Sequence, residues 1–219
     1  MTVVVVTGTD TGVGKTVVTA SLAVALSKHG SVAVFKPVQA GLPADADEVR
    51  RLSGVPDVFE GARVGDPLNP TTAARLRGTV LPDVAEHAAT IDRLAASYDS
   101  VVVEGAGGLL VGLDNAGRTL LDLAFALDTP YTVVVVARAG LGTLNHTRLT
   151  VERLAGLPVT GLVIGSWPAE PGLAERCNLD DLPEVTGLPI LGRVPEGAGS
   201  LDAVEFRAGS WVPVDTIRQ

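Results

Sequence analysis

The chain has 219 residues, enough for one large domain or two small ones, and is 46% hydrophobic but only 4% aromatic, so its core must come from Val, Leu, Ala and Ile. A formal net charge of -8 and a pI near 4.8 argue against a nucleic-acid binder, which carries a basic face. One cysteine, Cys177, excludes a disulfide framework and a cysteine-rich metal site. The apolar run at 3–6 is too short for a signal peptide or membrane span, so a cytoplasmic protein without a membrane partner is expected.

In chain order, a strand at 3–7 (VVVVT) is followed by the glycine-rich stretch TGTDTGVGKT (7–16) and a helix over 15–29. A second strand, VAVFKPV (32–38), leads through KPVQAG to a helix at 45–53. Helices at 71–77 and 83–97 precede the strand SVVVE (100–104), which runs into EGAGGLL and a helix at 119–127. The strand TVVVVA (132–137) gives way to ARAGLGTLNHT and a helix over 143–155. Then come the strand VTGLVIG (159–165), a short helical segment around 171–177 and a weaker strand, LPILGRV (188–194).

Several strands are apolar on both faces, the pattern of central parallel strands. Their alternation with helices predicts right-handed β-α-β units in an α/β fold with a doubly wound, mostly parallel sheet. No linker or internal repeat interrupts it, so residues 1–219 read as one domain. Ligands in such sheets collect at the carboxyl ends of strands. Four polar or glycine-rich turns lie there, which predicts one shared site.

The first turn has the chemistry of a phosphate loop. Gly12 and Gly14 let the backbone curl around an anion, Lys15 would reach the β- and γ-phosphates, and the Thr16 hydroxyl would ligate Mg2+. The spacing is unusual, because five residues rather than four separate Gly8 from Gly14. A Mg2+–nucleotide site also needs hard carboxylate ligands. Glu104 stands where one is expected, although a strand-end acid can simply face solvent. Asp45 and Asp47 are further candidates, or helix-start acids stabilised by the macrodipole. Lys36 either snorkels to the sheet rim or points into the cleft, where a second cation would stabilise charge during transfer. The turn at 139–147 offers another helix N-terminus for an anion such as a substrate carboxylate, or a plain turn capped by Thr143. His29, His87, His146 and Cys177 carry no signal.

Taken together, TGTDTGVGKT, FKPVQAG, VVVEGAGGLLV, GLGTLNHT, GSWP and VPEGAGSLDA, in this order, resemble the dethiobiotin synthetase family from residue 2 to about 206. That family's loop carries the same extra residue. The resemblance implies a homodimer of P-loop nucleoside triphosphate hydrolase type. Its reaction takes 7,8-diaminopelargonate, CO2 and ATP through a carbamate and its phosphoric anhydride to a cyclic urea, with ADP and phosphate released.

By position, the resemblance implies catalytic roles for Lys36, Lys15 and Thr11, and metal ligation by Thr16, Asp45 and Glu104. Nucleotide contacts fall on Gly12, Val13, Gly14, Lys15, Thr16, Val17, Glu104, Gly105, Ala106, Gly107, Gly165, Ser166, Pro195, Glu196 and Gly197. Substrate contacts fall on Ala40 and on Gly140, Leu141, Gly142, Thr143, Leu144 and Asn145, the last six supplied across the dimer interface. The chain departs from the family at Ala40, where Ser or Thr is common, and at Gly165-Ser166-Trp167, where many members read adenine with an asparagine. Nucleobase preference therefore stays open.

Two other classes share the core. Switch ATPases that position partner proteins carry a lysine early in the loop, where this chain has Asp10-Thr11-Gly12. Cobyrinate-type amidotransferase synthetases need a glutaminase domain and its nucleophilic cysteine.

Overall fold

The computed structural model describes residues 1–209, 211–215 and 217. Seven strands, β1 (Thr2–Gly8), β2 (Val32–Ala40), β3 (Val58–Val64), β4 (Ser100–Glu104), β5 (Tyr131–Ala137), β6 (Val159–Trp167) and β7 (Ile190–Pro195), form one sheet in the order β3-β2-β4-β1-β5-β6-β7. Every pairing is parallel. Among the described residues the α-helices are α1 (Lys15–Ser27), α2 (Asp45–Ser53), α3 (Pro70–Arg77), α4 (Val84–Ser97), α5 (Leu120–Phe125), α6 (Thr143–Arg153), α7 (Leu173–Thr186) and α8 (Ala203–Ala208).

Side chains alternate across a strand, so β1 feeds both faces of the sheet. Val3 and Val5 join Ile91 of α4, Leu123 of α5 and Leu182 of α7 on one side. Val4 and Val6 join Leu22 and Leu26 of α1, Leu52 of α2 and Phe206 of α8 on the other. Each such aliphatic side chain removed from water contributes roughly 1.5–3 kcal/mol before entropy is counted. Helix ends follow local chemistry: Asp83 and Glu86 form a capping box at the start of α4, and Asn69 caps α3 ahead of Pro70.

Four elements differ from the sequence expectation. β3 carries no apolar run, because as an edge strand paired only with β2 it alternates buried and exposed residues along VFEGARV. β2 runs past the expected end at Val38 to Ala40. α7 is longer than the segment expected around 171–177, running from Leu173 on through Pro183 to Thr186. α8 is a short helix that Asp202 caps through the amides of Val204 and Glu205.

His87 on α4 is buried against Phe35, with ring centroids 6.0 Å apart, and its Nε2 has no hydrogen-bond partner among the described residues. Burial pushes its pKa below the ordinary 6.5, against the pull of Glu86, Asp114 and Asp83. The folded state thus binds fewer protons than the unfolded state once pH falls below 6.5, so stability is present above that value and is lost as pH drops. Urea unfolding of His87→Leu is expected to show a shallower acid loss than wild type; equal pH dependence would remove His87 from this role.

Candidate active site

The odd spacing of the phosphate loop has a local cause. Gly8 is the last residue of β1 and pairs with Val136 of β5, and Thr9 N–H still donates to the Val136 carbonyl at 3.0 Å. The first glycine therefore belongs to the strand, and the turn starts one residue later than a simple count suggests. A Cβ on Gly8 would lie 2.8 Å from Val13 Cγ2, so the buried Val13 side chain folds down over a bare backbone.

The loop closes at Gly14, which caps α1 in the left-handed region with φ 95° and no side-chain cap, leaving first-turn amides free of side-chain partners. Lys15 is buried and curls back over the loop, its Nζ donating to the Asp10 carbonyl at 3.0 Å. Burial first, and then the positive charge of Lys36, lower its pKa to about 8 against the attraction of Glu104, Asp45 and Asp10. A phosphate at this loop would supply the negative charge that Lys15 lacks.

Lys36 is the hub of the site. The β2–β4 pairing ends at Phe35 and Val103, so Lys36 is the first β2 residue beyond it, beside the end of β4. Its ammonium donates to Asp45 Oδ2 at 2.6 Å, Glu104 Oε1 at 2.8 Å and the Gly105 carbonyl at 3.0 Å. The Thr16 hydroxyl donates to the same Glu104 oxygen at 3.0 Å. Burial alone would lower the Lys36 pKa; the charges of Glu104 and Asp45 and their hydrogen bonds outweigh it, and the pKa is raised.

The structure brings Asp45 to Lys36 and directs Asp47 elsewhere. Asp47 is 65% exposed on the outside of α2, paired with Arg50 at 2.9 Å. Gln39, absent from the sequence reading, accounts for the difference. Buried in β2, it accepts the Asp45 amide at 2.9 Å and donates to the Ala40 carbonyl at 3.1 Å, fixing where α2 begins.

A cleft of about 400 Å³ opens beside Lys36 and is lined by Thr11, Ala40, Asp45, Ala106 and Gly107. Its far wall is residues 67–70, the β3–α3 connection. That wall was missed with β3 itself. None of Gly140, Leu141, Gly142, Thr143, Leu144 and Asn145 lines this cleft. They form the turn into α6, where Gly142 is the N-cap with no side-chain cap. The Thr143 hydroxyl is buried and donates backward to the Arg138 carbonyl at 2.8 Å, so it does not cap the helix. Leu141 is 93% exposed, and Leu110 and Leu149 are also exposed beside a separate recess.

A third recess, about 310 Å³, is lined by Trp167, Pro168, Ala169, Arg193, Pro195 and Glu196. Arg193 lies over the Trp167 ring at 5.1 Å, and Glu196 N–H donates to the Trp167 carbonyl at 2.8 Å. Ser166 is exposed in the same strand end, and Gly197 follows Glu196 with φ 81°. Gly165 is buried and meets the phosphate loop backbone: a Cβ there would sit 2.0 Å from the Val13 carbonyl oxygen.

With this geometry in view, the comparisons with known proteins are specific. A family described as an AAA domain matches residues 2–201. An ATP-dependent dethiobiotin synthetase from Rhodococcus jostii (strain RHA1) is 57% identical over 217 residues, spanning 96% of this chain and 93% of the relative. A second, from Streptomyces coelicolor, is 54% identical over 219 residues, spanning 96% and 90%. The chain belongs to the ATP-dependent dethiobiotin synthetase family.

This synthetase also shares its fold with a septum site-determining protein MinD from Pyrococcus horikoshii OT3, at a TM-score of 0.62 and 18% identity over 99% of this chain and 93% of that one. A ParA family ATPase from Chlorobium tepidum TLS matches at 0.60 and 13%, over 99% and 96%. At such identities the likeness is one of fold alone.

The Gly165 contact is testable. Gly165→Ala should lose about 1–3 kcal/mol of stability by overpacking and displace the phosphate loop, weakening ATP binding. Urea denaturation and calorimetric ATP titration of the variant would check both; unchanged stability would show that β6 and the loop separate freely.

Proposed function

We propose that this chain, as one P-loop domain over 1–219, makes dethiobiotin from 7,8-diaminopelargonate, CO2 and ATP as a step of biotin biosynthesis. The observation that carries the reading is the juxtaposition of Lys36, Thr16, Asp45 and Glu104 between a phosphate loop and a cleft of small-molecule size. The family membership supports the substrate and product. The site residues support the chemistry below.

In this reading the loop Gly12, Val13, Gly14, Lys15, Thr16 and Val17 holds the triphosphate through backbone amides and the Lys15 ammonium. The base lies in the recess between Gly165-Ser166-Trp167 and Pro195-Glu196-Gly197. The residues fit a hard divalent cation, because Asp45 Oδ2 and Glu104 Oε1 already hold one cation, the Lys36 ammonium, between them, and the Thr16 hydroxyl oxygen lies 3.0 Å from the same Glu104 oxygen. Mg2+ held there would neutralise phosphate charge during transfer.

One amine of the diamine takes up CO2 as a carbamate and releases a proton. A carbamate oxygen attacks the γ-phosphorus and ADP leaves. The second amine then attacks the carbonyl carbon, expelling phosphate and closing the ring. Lys15 and Lys36 neutralise the transferring group from two sides, and Thr11 and the Gly105-Ala106-Gly107 backbone line the path between nucleotide and diamine. Ala40 presents no hydroxyl to the diamine, so orientation falls on Lys36, Thr11 and the cleft walls.

The substrate carboxylate is held by the α6 turn, Gly140 to Asn145, of a second subunit. Two features support this homodimer: that turn lies outside the chain's own cleft, and Leu110, Leu141 and Leu149 leave an apolar surface beside it. No described helix is long and apolar enough to cross a membrane, which fits the proposed cytoplasmic enzyme.

The decisive assay supplies MgATP and bicarbonate with and without the diamine and follows phosphate release. Release is expected only with the diamine, with dethiobiotin formed in equal amount; diamine-independent hydrolysis at the same rate would assign the chain to the switch ATPases instead. Lys36→Ala should lose stability, because buried Glu104 loses its cation partner, and its folded fraction should lose roughly a hundredfold or more in turnover. Turnover at the wild-type level would exclude Lys36 from the reaction.

A further inference from the structure

We infer that in the metal-free protein the Lys36 ammonium occupies the place that a divalent cation takes among Asp45, Glu104 and Thr16, so that metal and lysine exclude one another. The inference rests on the ligand set proposed above and adds the means by which Lys36 is released to the substrate.

An ammonium has three N–H donors. Those of Lys36 meet three acceptors on two different elements and the turn that follows β4: Asp45 Oδ2, Glu104 Oε1 and the Gly105 carbonyl, at 2.6, 2.8 and 3.0 Å. Glu104 Oε1 also accepts the Thr16 hydroxyl. Glu104 Oε1 therefore already accepts from both Lys36 and Thr16, and Asp45 Oδ2 is held by Lys36. Mg2+ requires oxygen lone pairs at about 2.0–2.1 Å in near-octahedral geometry. A lysine ammonium bonded to the same two carboxylate oxygens competes with the metal for that place, because the two cations need the same space and repel one another.

The burial pattern explains why a lysine is there. Lys36 and Glu104 are almost completely buried, at 3% and 1% exposure. Such a carboxylate needs a cation partner in the folded chain whether or not a metal is bound. Lys36 supplies it from a strand whose backbone is fixed between β3 and β4, while its side chain can still change rotamer. The space available to a displaced ammonium is the 400 Å³ cleft that Lys36 already lines. Metal loading then delivers the lysine to the side where the diamine is proposed to bind, and an enzyme without metal keeps it withdrawn.

The chain has only three lysines, Lys15, Lys28 and Lys36, which makes a direct test practical. Intact protein labelled with 15N-lysine gives at most three ammonium resonances. The Lys36 signal is the slowly exchanging one and is identified by its survival in Lys15→Arg and Lys28→Arg. Addition of Mg2+, alone and with ADP, is expected to shift or abolish that signal with the same concentration dependence as metal binding. Independently, Mn2+ titrated into nucleotide-free protein and followed by electron paramagnetic resonance should bind Lys36→Met roughly tenfold more tightly than wild type, because the competing cation is gone.

A Lys36 signal that stays unmoved at saturating Mg2+ overturns the inference, as does equal or weaker Mn2+ binding by folded Lys36→Met. If Lys36→Met does not fold, the resonance experiment on wild-type protein decides alone. Glu104→Gln separates the two layers. It should weaken Mn2+ binding; if it does not, the ligand set itself is wrong and the exclusion falls with it.

Discussion

The site depends on one buried ammonium. Lys36 joins a strand, the start of a helix and the end of a neighbouring strand through hydrogen bonds no longer than 3.0 Å. Without its charge, buried Glu104 would keep the Thr16 hydroxyl bond and the attraction of Lys15 but lose its direct ion-pair partner, an arrangement that costs stability. The same charge bears on Lys15, whose ammonium is disfavoured by burial and by the proximity of a second cation. A polyanion at the phosphate loop would offset the repulsion between these two ammonium groups, which favours its binding there.

Sheet order explains how residues far apart in sequence reach one place. β2, β4, β1 and β5 are consecutive neighbours in the sheet. Being parallel, they end on the same edge. Lys36 comes from β2, Glu104 from the end of β4, the phosphate loop from β1 and the α6 turn from β5. Crossover helices on both faces bury the apolar sides of these strands, so the polar residues are left to the strand ends. The apolar packing that stabilises the domain is also what gathers the chemistry.

The fold itself does not select the reaction. MinD and ParA ATPases superpose on nearly the whole chain at under one fifth identity. This chain's own local features are Asp10-Thr11-Gly12 in the loop, a lysine on β2, and a cleft bounded by the β3–α3 connection.

Much of this was legible in the residues. Valine-rich runs marked the strands buried on both faces, and TGTDTGVGKT marked the loop because its chemistry is written in adjacent positions. β3 was not legible, since an edge strand has one partner and alternating polarity, and its loss hid the cleft wall at 67–70. Gln39 was not legible either, because its part is to hold the first amide of α2, a relation set by how the chain turns after β2. Asp45 and Asp47 are equivalent on paper; two positions on a helix start point about 200° apart, and only the direction of α2 decides which one meets Lys36.

By itself, then, the sequence determined the alternation of elements, the phosphate loop and the family, because those depend on local pattern and short-range chemistry. The tertiary structure alone decided that Lys36, Asp45, Glu104 and Thr16 share one hydrogen-bonded cluster and that the α6 turn lies outside the chain's own cleft. Those are consequences of strand order and helix direction, which long-range packing sets and no single stretch of residues encodes.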